Sequence, residues 1–376
     1  MRGYFEEIKD PRQAGKVQHK LSEVIVLVIA AVICGCDVWE DIADFCRVKE
    51  EWFRTDLGLE LRNGIPSHDT LQRVFEMMDP KEFEQCFVNW VESTCTKGRR
   101  ETVSIDGKTL RGSRDGNRKP LHMISAWASE RGLVIGQIAT DEKSNEITAV
   151  PELMKMLDLE GCIVTADAMS CQKAITRQAA IQKADYVIGL KENQPTLHEE
   201  TVKYFQEASQ EPSLYREITA ETTLSKGHGR VEKRIYSLCL ADDILNHYFE
   251  WANLRAIGKM HSVVTRDGAV TEEDHYYVTS LTDVKEFAQA ARQHWGVENS
   301  LHWCLDMTFR EDVSRTRKDH SAENFAVVRH FALSVLRRMD DKMSLARRRR
   351  HCAYDDNYLA KVESPPQPPQ NQADAI

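Results

Sequence analysis

Gly161-Cys162-Ile163-Val164-Thr165-Ala166-Asp167 is a nearly apolar run of strand length that stops at a carboxylate. A run this short and this rich in β-branched residues predicts a strand buried on both faces of a sheet. A helical pattern follows over residues 170–183, and a second apolar strand over 184–190. Strand, helix, strand in that order is an alternating unit that places helices on the faces of a sheet. Upstream, residues 121–128 and 133–139 predict two strands joined at Glu130-Arg131-Gly132, and residues 102–106 alternate with Val103 and Ile105 on one face. Residues 148–157 predict a helix that can hold Pro151 only near its first turn. The whole is an α/β fold, a mixed sheet with helices on its faces.

Outside this block the pattern changes twice. Residues 1–97 read as a helical N-terminal domain, with helices at 21–35, 39–53, from His68 after a Ser67 cap, and 81–94 after Pro80. Beyond Lys191, a polar helical stretch at 192–215 gives way to strands at 230–238, 254–264 and 275–280. This predicts a β-rich insertion at about 196–280, packed as its own layer within a core spanning 98–340. Asp283 caps a further helix, with Glu286 three residues on, that runs to about Leu305; another covers 322–338. The tail, 341–376, is basic at Arg347–Arg350 and then rich in Pro and Gln, which predicts disorder at its end.

The 376 residues carry 50 Lys+Arg against 59 Asp+Glu, a net charge of −9, which excludes a uniformly basic coat but not a local basic groove. The longest apolar run, residues 24–36, is shorter than the ~20 residues a membrane span needs, so it predicts a buried helix. Ten cysteines without a CxxC pair, several inside apolar segments, suggest reduced thiols and a cytoplasmic location.

A lone acid at a strand end is usually a turn residue. Two in one sheet, Asp106 and Asp167, point to a site, because active groups in open α/β sheets gather at the carboxyl ends of strands. Neighbouring carboxylates repel unless protonated or bridged by a cation, and hard oxygen ligands favour Mg²⁺ or Mn²⁺. His294, Glu298 and His302, spaced by four, share one helix face. That face could be a zinc site, a satisfied polar surface, or a carboxylate aimed at the two aspartates. Gly296 within the helix suggests a close backbone approach. Cations follow each acidic element: Lys108, Arg111, Arg114, Arg118 and Lys119 after the first Asp, Lys191 after the second, and Arg310, Arg315, Arg317 and Lys318 after the helix, with Arg329, Arg337 and Arg338 beyond. Among them, Lys108, Arg111, Lys191, Arg315 and Arg317 are candidate phosphate contacts, although a solvated charged surface explains any one of them better. Three carboxylates holding two cations suit in-line attack at a phosphodiester. Walker loops, GxGxxG after a strand, GxSxG and HExxH are all lacking.

Longer stretches carry a family resemblance. They are Asp10-Pro11-Arg12, Gly64-Ile65-Pro66-Ser67-His68-Asp69-Thr70, Ser104-Ile105-Asp106-Gly107-Lys108-Thr109-Leu110-Arg111-Gly112-Ser113 and Asp141-Glu142-Lys143-Ser144-Asn145-Glu146-Ile147-Thr148-Ala149. Further on come Val164-Thr165-Ala166-Asp167-Ala168-Met169, Leu190-Lys191-Glu192-Asn193-Gln194-Pro195-Thr196-Leu197, His228-Gly229-Arg230-Val231-Glu232 and His294-Trp295-Gly296-Val297-Glu298-Asn299-Ser300-Leu301-His302-Trp303. From about residue 10 to 363 the chain resembles the transposases of the ISAs-type insertion sequences, including the H-repeat-associated proteins.

The resemblance implies a ribonuclease-H-like core with a DDE triad on Asp106, Asp167 and Glu298, two Mg²⁺ or Mn²⁺ ions, and a β-rich insertion before the Glu. It implies cleavage and strand transfer at the element's terminal inverted repeats, target DNA as second substrate, and a homodimer on paired ends, nucleoid-associated when bound. Related transposases carry Tyr-x2-Arg-x3-Glu-x6-Lys around the catalytic Glu; here those places hold Ala291, His294, Glu298 and Leu305. The Tyr and Lys roles are unfilled there, and His294 or nearby Arg292 takes the place of the Arg as a phosphate contact. A metal-dependent nuclease that does not join, and an inactive DNA-binding remnant, stay open as alternatives.

Overall fold

The computed structural model describes residues 2–94, 100–116, 119–140, 145–211, 218–227, 229–240 and 245–363. The Pro-rich end expected to be disordered, along with Arg118 and His228, lies outside the described residues. Strands β1 (Thr102–Thr109), β2 (His122–Ala128), β3 (Leu133–Thr140), β4 (Ile163–Ala166) and β5 (Asp185–Leu190) stand side by side in the order β3-β2-β1-β4-β5. β1 is antiparallel to β2 and parallel to β4, and β4 is parallel to β5. This is the ribonuclease-H-like arrangement that the resemblance implies.

β1 runs three residues past Asp106, because Gly107, Lys108 and Thr109 still pair with Ile124, Met123 and His122. Asp106 therefore lies inside a strand rather than at its end. On its other side the pairing with β4 does stop at Ile105↔Ala166, so Asp106 and Asp167 each follow the last paired residue of neighbouring parallel strands.

The expected separate β layer is not formed. β6 (Thr219–Gly227), β7 (Arg230–Cys239), β8 (Ala256–Arg266) and β9 (Ala269–Thr279) extend the same sheet to nine strands, with β9 joined to β5 from Val187↔Thr279 to Leu190↔Tyr276. The physical reason is the edge of β5, whose backbone groups need partners once β4 covers the other side. Only the last turns of β9 meet the core sheet, and the rest of the hairpins run beyond it.

The N-terminal helices do not enclose a core of their own. Helix α1 (Leu21–Ile33) is buried at all 13 positions and packs on the late helix Ser321–Arg337, as a helix apolar on every side must. The Phe5, Phe83 and Phe87 rings meet Phe331 of that same late helix. Half of the basic tract in the tail is also internal: Arg348 and Arg349 are buried, while Arg347 and Arg350 are exposed. Arg349 donates to the Val32 carbonyl at 2.6 Å, closing the end of α1, and pairs with Asp37 at 2.8 Å. Arg348 donates to the Leu336 carbonyl at 2.7 Å, closing the late helix in the same way.

Candidate active site

Asp106 is mostly buried, and its carboxyl accepts the Gly107 backbone N–H. Burial pushes it up to about 7, with Asp167, Glu146 and Glu298 adding like charge around it. Asp167 follows β4 directly and caps a short turn by accepting the Ser170 N–H at 3.1 Å. Glu298 comes from the helix that the sequence predicts. Asp283 caps it by accepting the Lys285 and Glu286 N–H groups at 2.9 Å each, and its first segment is Val284–Val297. The helix then widens into a π turn over Glu298–His302, where the Trp303 N–H reaches back to the Glu298 carbonyl, before Trp303–Met307 completes it. Such turns are rare and occur frequently at functional sites. Arg337, stacked on Trp127 with 4.7 Å to the ring centroid, donates to the Ser300 carbonyl inside the turn.

Phe287 anchors this helix. Its ring is buried against Tyr236 and Tyr277, from β7 and β9, and a Cβ on Gly258 of β8 would lie 2.7 Å from its Cε2. The strands that extend the sheet thus form part of the bed beneath the Glu298 helix, together with Ile163 and Val187 of the core. The close approach expected at Gly296 is absent: a Cβ there meets nothing within 4 Å.

Sequence reasoning missed Glu146. It starts the helix Glu146–Lys155, is buried, and hydrogen-bonds His122 Nε2, whose Nδ1 is 2.9 Å from Thr109 Oγ1. The pair lies flat against Gly107, where a Cβ would come 2.9 Å from Glu146 Cδ. Glu146 was visible only as one acid in a matching polar stretch, with nothing to aim it at Asp106. Pro151 sits inside this helix, which starts two residues earlier than its pattern suggests.

His294 and His302 flank the carboxylates as neutral groups, each held down to about 4 by burial. His294 Nδ1 lies 3.1 Å from Thr165 Oγ1, and His302 Nδ1 lies 3.5 Å from Asp106 Oδ2. Lys108 does not reach the surface: its ammonium is buried 2.6 Å from Asp306, 2.8 Å from Glu311 and 3.2 Å from Asp312. It braces the loop after the helix and is not available as a phosphate contact. Arg329 is buried against Glu311 at 3.6 Å. Lys191, Arg292 and Arg315 are exposed, Arg111 is exposed near Asp312, and Arg317 is exposed while donating to the Gly112 carbonyl at 2.7 Å.

Among the described residues no three His, Cys, Asp or Glu side chains are drawn together as a closed metal cage, and this holds for His294, Glu298 and His302 as for the three carboxylates. The donor chemistry nonetheless fits a hard divalent cation. Asp167, Glu146 and Glu298 each lie within electrostatic reach of the Asp106 carboxyl, and the Lys108 ammonium two residues on is spent on other partners. Also among the described residues, no helix is long and apolar enough to cross a membrane.

Comparison with known proteins agrees with this architecture. Residues 2–91 match the family described as DDE_Tnp_1-associated, and residues 97–335 match the transposase DDE domain. The putative protein YbfL of Escherichia coli K12 is 41% identical over 94% of this chain and 95% of its own. The H repeat-associated putative transposase YhhI of the same strain is 40% identical over the same shares. Putative transposase YncI of E. coli O157:H7 is 39% identical over 96% of this chain and 93% of its own. Among solved structures, a piggyBac transposase synaptic complex with hairpin DNA overlaps 96% of this chain and 78% of its own at 12% identity and a TM-score of 0.41, too loosely to place any residue. With its sheet order, its two aspartates just past the last paired residues of neighbouring parallel strands and a matching domain over most of its length, the chain belongs to the DDE transposase family.

Proposed function

We propose that the protein cleaves DNA at the ends of its own insertion sequence and joins them to target DNA, with Asp106, Asp167 and Glu298 as the catalytic carboxylates. The observation that supports this most is the gathering of Asp167, Glu146 and Glu298 around Asp106, whose carboxyl burial pushes up to about 7 with those three adding like charge. Crowding of this kind has a function when a cation relieves it. Two Mg²⁺ or Mn²⁺ ions held there would activate the attacking water or 3′-hydroxyl and stabilise the leaving oxygen. The chain's own residues set the geometry. The strand pair β1/β4 fixes the two aspartates, and the capped helix with its π turn presents Glu298. Exposed Arg111, Arg292, Arg315, Arg317 and Lys191 meet the phosphates, and His294 takes part as a neutral hydrogen-bonding group. A homodimer holding paired ends is the expected assembly.

The test incubates the full chain with Mn²⁺ and labelled duplexes carrying the element's terminal repeats, beside Glu298→Gln. Wild type should give cut and joined products. The variant should lose cleavage by about three orders of magnitude or more while still binding DNA in EDTA. Cleavage retained by Glu298→Gln would remove Glu298 from the catalytic set, and cut products without joined ones would limit the activity to hydrolysis.

A further inference from the structure

Ser104 and Thr165 stand two residues before Asp106 and Asp167, and His294 stands four before Glu298. The catalytic proposal gives the first two no role and His294 no partner. Residues two apart on a strand, or four apart on a helix, share a face, so each of the three lies on the side of its element that carries the carboxylate. Asp167 is itself extended, which continues the alternation of β4 one residue past the strand.

The fold joins these three residues. Ser104 and Thr165 are buried cross-strand partners in the β1/β4 pairing, and the helix Val284–Val297 packs on both strands. Thr165 Oγ1 donates to Ser104 Oγ at 3.0 Å and lies 3.1 Å from His294 Nδ1. A hydroxyl has one proton to give. Thr165 spends it on Ser104, so the contact with His294 needs a proton from the ring. Burial keeps that ring neutral, so its one hydrogen sits on Nδ1 and not on Nε2. Ser104 has Ser129 Oγ 3.5 Å away for its own proton. Buried hydroxyls are costly unless paired, and apolar side chains would fill the same space without that cost. The spacing gives the hydroxyls a use. Two strand residues advance about 6.6 Å and four helical residues about 6 Å, so a contact that fixes the helix at this level fixes it again at the carboxylates one step on.

Resting on the transposase reading for the role of those carboxylates, we infer that Ser104, Thr165 and His294 are positioning residues: a hydrogen-bonded rung, one step below Asp106, Asp167 and Glu298, that sets the register of the catalytic helix on the two strands. His294 then acts through Glu298 and not through a phosphate. Thr165 is the centre of the rung, because it alone bonds both of the other two.

The experiment compares wild type with Thr165→Val, which keeps the shape and loses the hydroxyl, and Thr165→Ser, which restores it. His294→Asn places an amide N–H about where Nδ1 stands, and His294→Gln places one nearer Nε2. Four readouts are taken: Mn²⁺ affinity without DNA, by electron paramagnetic resonance of the free ion; cleavage of labelled duplexes carrying the terminal repeats; duplex binding in EDTA by anisotropy; and the His294 tautomer, from ¹⁵N spectra of histidine-labelled wild type, assigned by its loss in His294→Asn. Thr165→Val and His294→Gln should weaken Mn²⁺ binding by about 10–100-fold and slow cleavage by about 10²-fold, with DNA binding in EDTA unchanged. Thr165→Ser and His294→Asn should recover most of both losses, and the His294 signal should be that of the Nδ1–H form. An Nε2–H form overturns the inference, as does a Thr165→Val that binds Mn²⁺ and cleaves like wild type. Weaker DNA binding in EDTA by both His294 variants overturns it too, by giving His294 to the phosphates. If Thr165→Val does not fold, the tautomer and the contrast between His294→Asn and His294→Gln decide. A wild type whose Mn²⁺ binding depends on the rung but which never cleaves DNA removes the transposase reading and keeps the rung. A wild type that cleaves, with Thr165→Val and His294→Gln cleaving equally well, does the reverse.

Discussion

Replacing Gly258 by Ala should disturb the Glu298 helix without touching any polar group. The new Cβ would lie 2.7 Å from Cε2 and 3.1 Å from Cε1 of Phe287, with Cζ nearer still, where carbon atoms normally stand about 3.5–4.0 Å apart. The ring must retreat by about 1 Å, and it is fully buried with Tyr277 and Tyr236 at 5.4 and 6.2 Å between ring centroids. Overpacking of this kind costs about 1–3 kcal/mol, which lowers the melting temperature by about 1–4 °C in a chain of this size. Phe287→Leu removes the clashing ring atoms, so combining the two should recover at least about 1 kcal/mol relative to the sum of the single changes. Thermal melts of the four proteins in the cycle give that coupling. Cleavage should fall in Gly258→Ala by more than its stability loss explains, because displacing a positioned group by 1 Å can cost about 10²-fold. A neutral Gly258→Ala, or additive single and double variants, would refute the claim that this contact seats the catalytic helix.

The two glycines beside the carboxylates should behave in opposite ways. Gly107→Ala should destabilise by about 1–3 kcal/mol, because its Cβ collides with the His122–Glu146 pair. Gly296→Ala should raise the melting temperature, by about 0.5–1 kcal/mol of stability, because its helical position faces open space. Lys108→Met should cost about 3–5 kcal/mol and leave the salt dependence of DNA binding unchanged, since it takes from the buried Glu311 the nearer of its two cations rather than one from a phosphate. Glu84 is buried beneath β3, where it accepts the Gln137 N–H at 2.9 Å, and burial pushes its carboxyl up to about 8. The folded chain keeps that proton when the unfolded chain has lost it near its ordinary value. Stability should therefore fall as pH rises from about 4.5 to 8, by at most about 1.4 kcal/mol per unit. Urea midpoints across that range should be flatter for Glu84→Gln and higher at pH 8.

Asp167 and the Asp283-capped helix were legible because each depends on local pattern: an apolar strand that stops at an acid, or a cap before helical spacing; Asp106 was picked out by the same rule although β1 runs on past it. What stayed hidden depends on partners distant in sequence. The pairing of β9 with β5 joins Tyr276 to Leu190, and alternation within a strand cannot say which edge it will meet. Lys108 looked like a surface cation because its three carboxylates, Asp306, Glu311 and Asp312, come some 200 residues later. Gly296 looked like a close approach because a glycine in a helix is costly, but cost alone does not identify the neighbour; Gly258, in an ordinary-looking strand, has one. Glu146 became visible only when the fold set its helix against β2.

The partners of α1 also set the timing of synthesis. All 13 of its residues are buried, and the surfaces that bury them include the helix at 321–337 and Arg349. At 5–20 residues per second, the ribosome needs roughly 15–60 s to make the intervening chain. For that interval an apolar helix waits on the nascent protein without its final cover. It is a natural client for a chaperone at the exit tunnel, and ribosome stalling downstream of residue 33 should leave products that aggregate or are degraded. Because Arg349 adds the last side-chain contact to the end of α1, the native packing of this helix is complete only after residue 349 has been made.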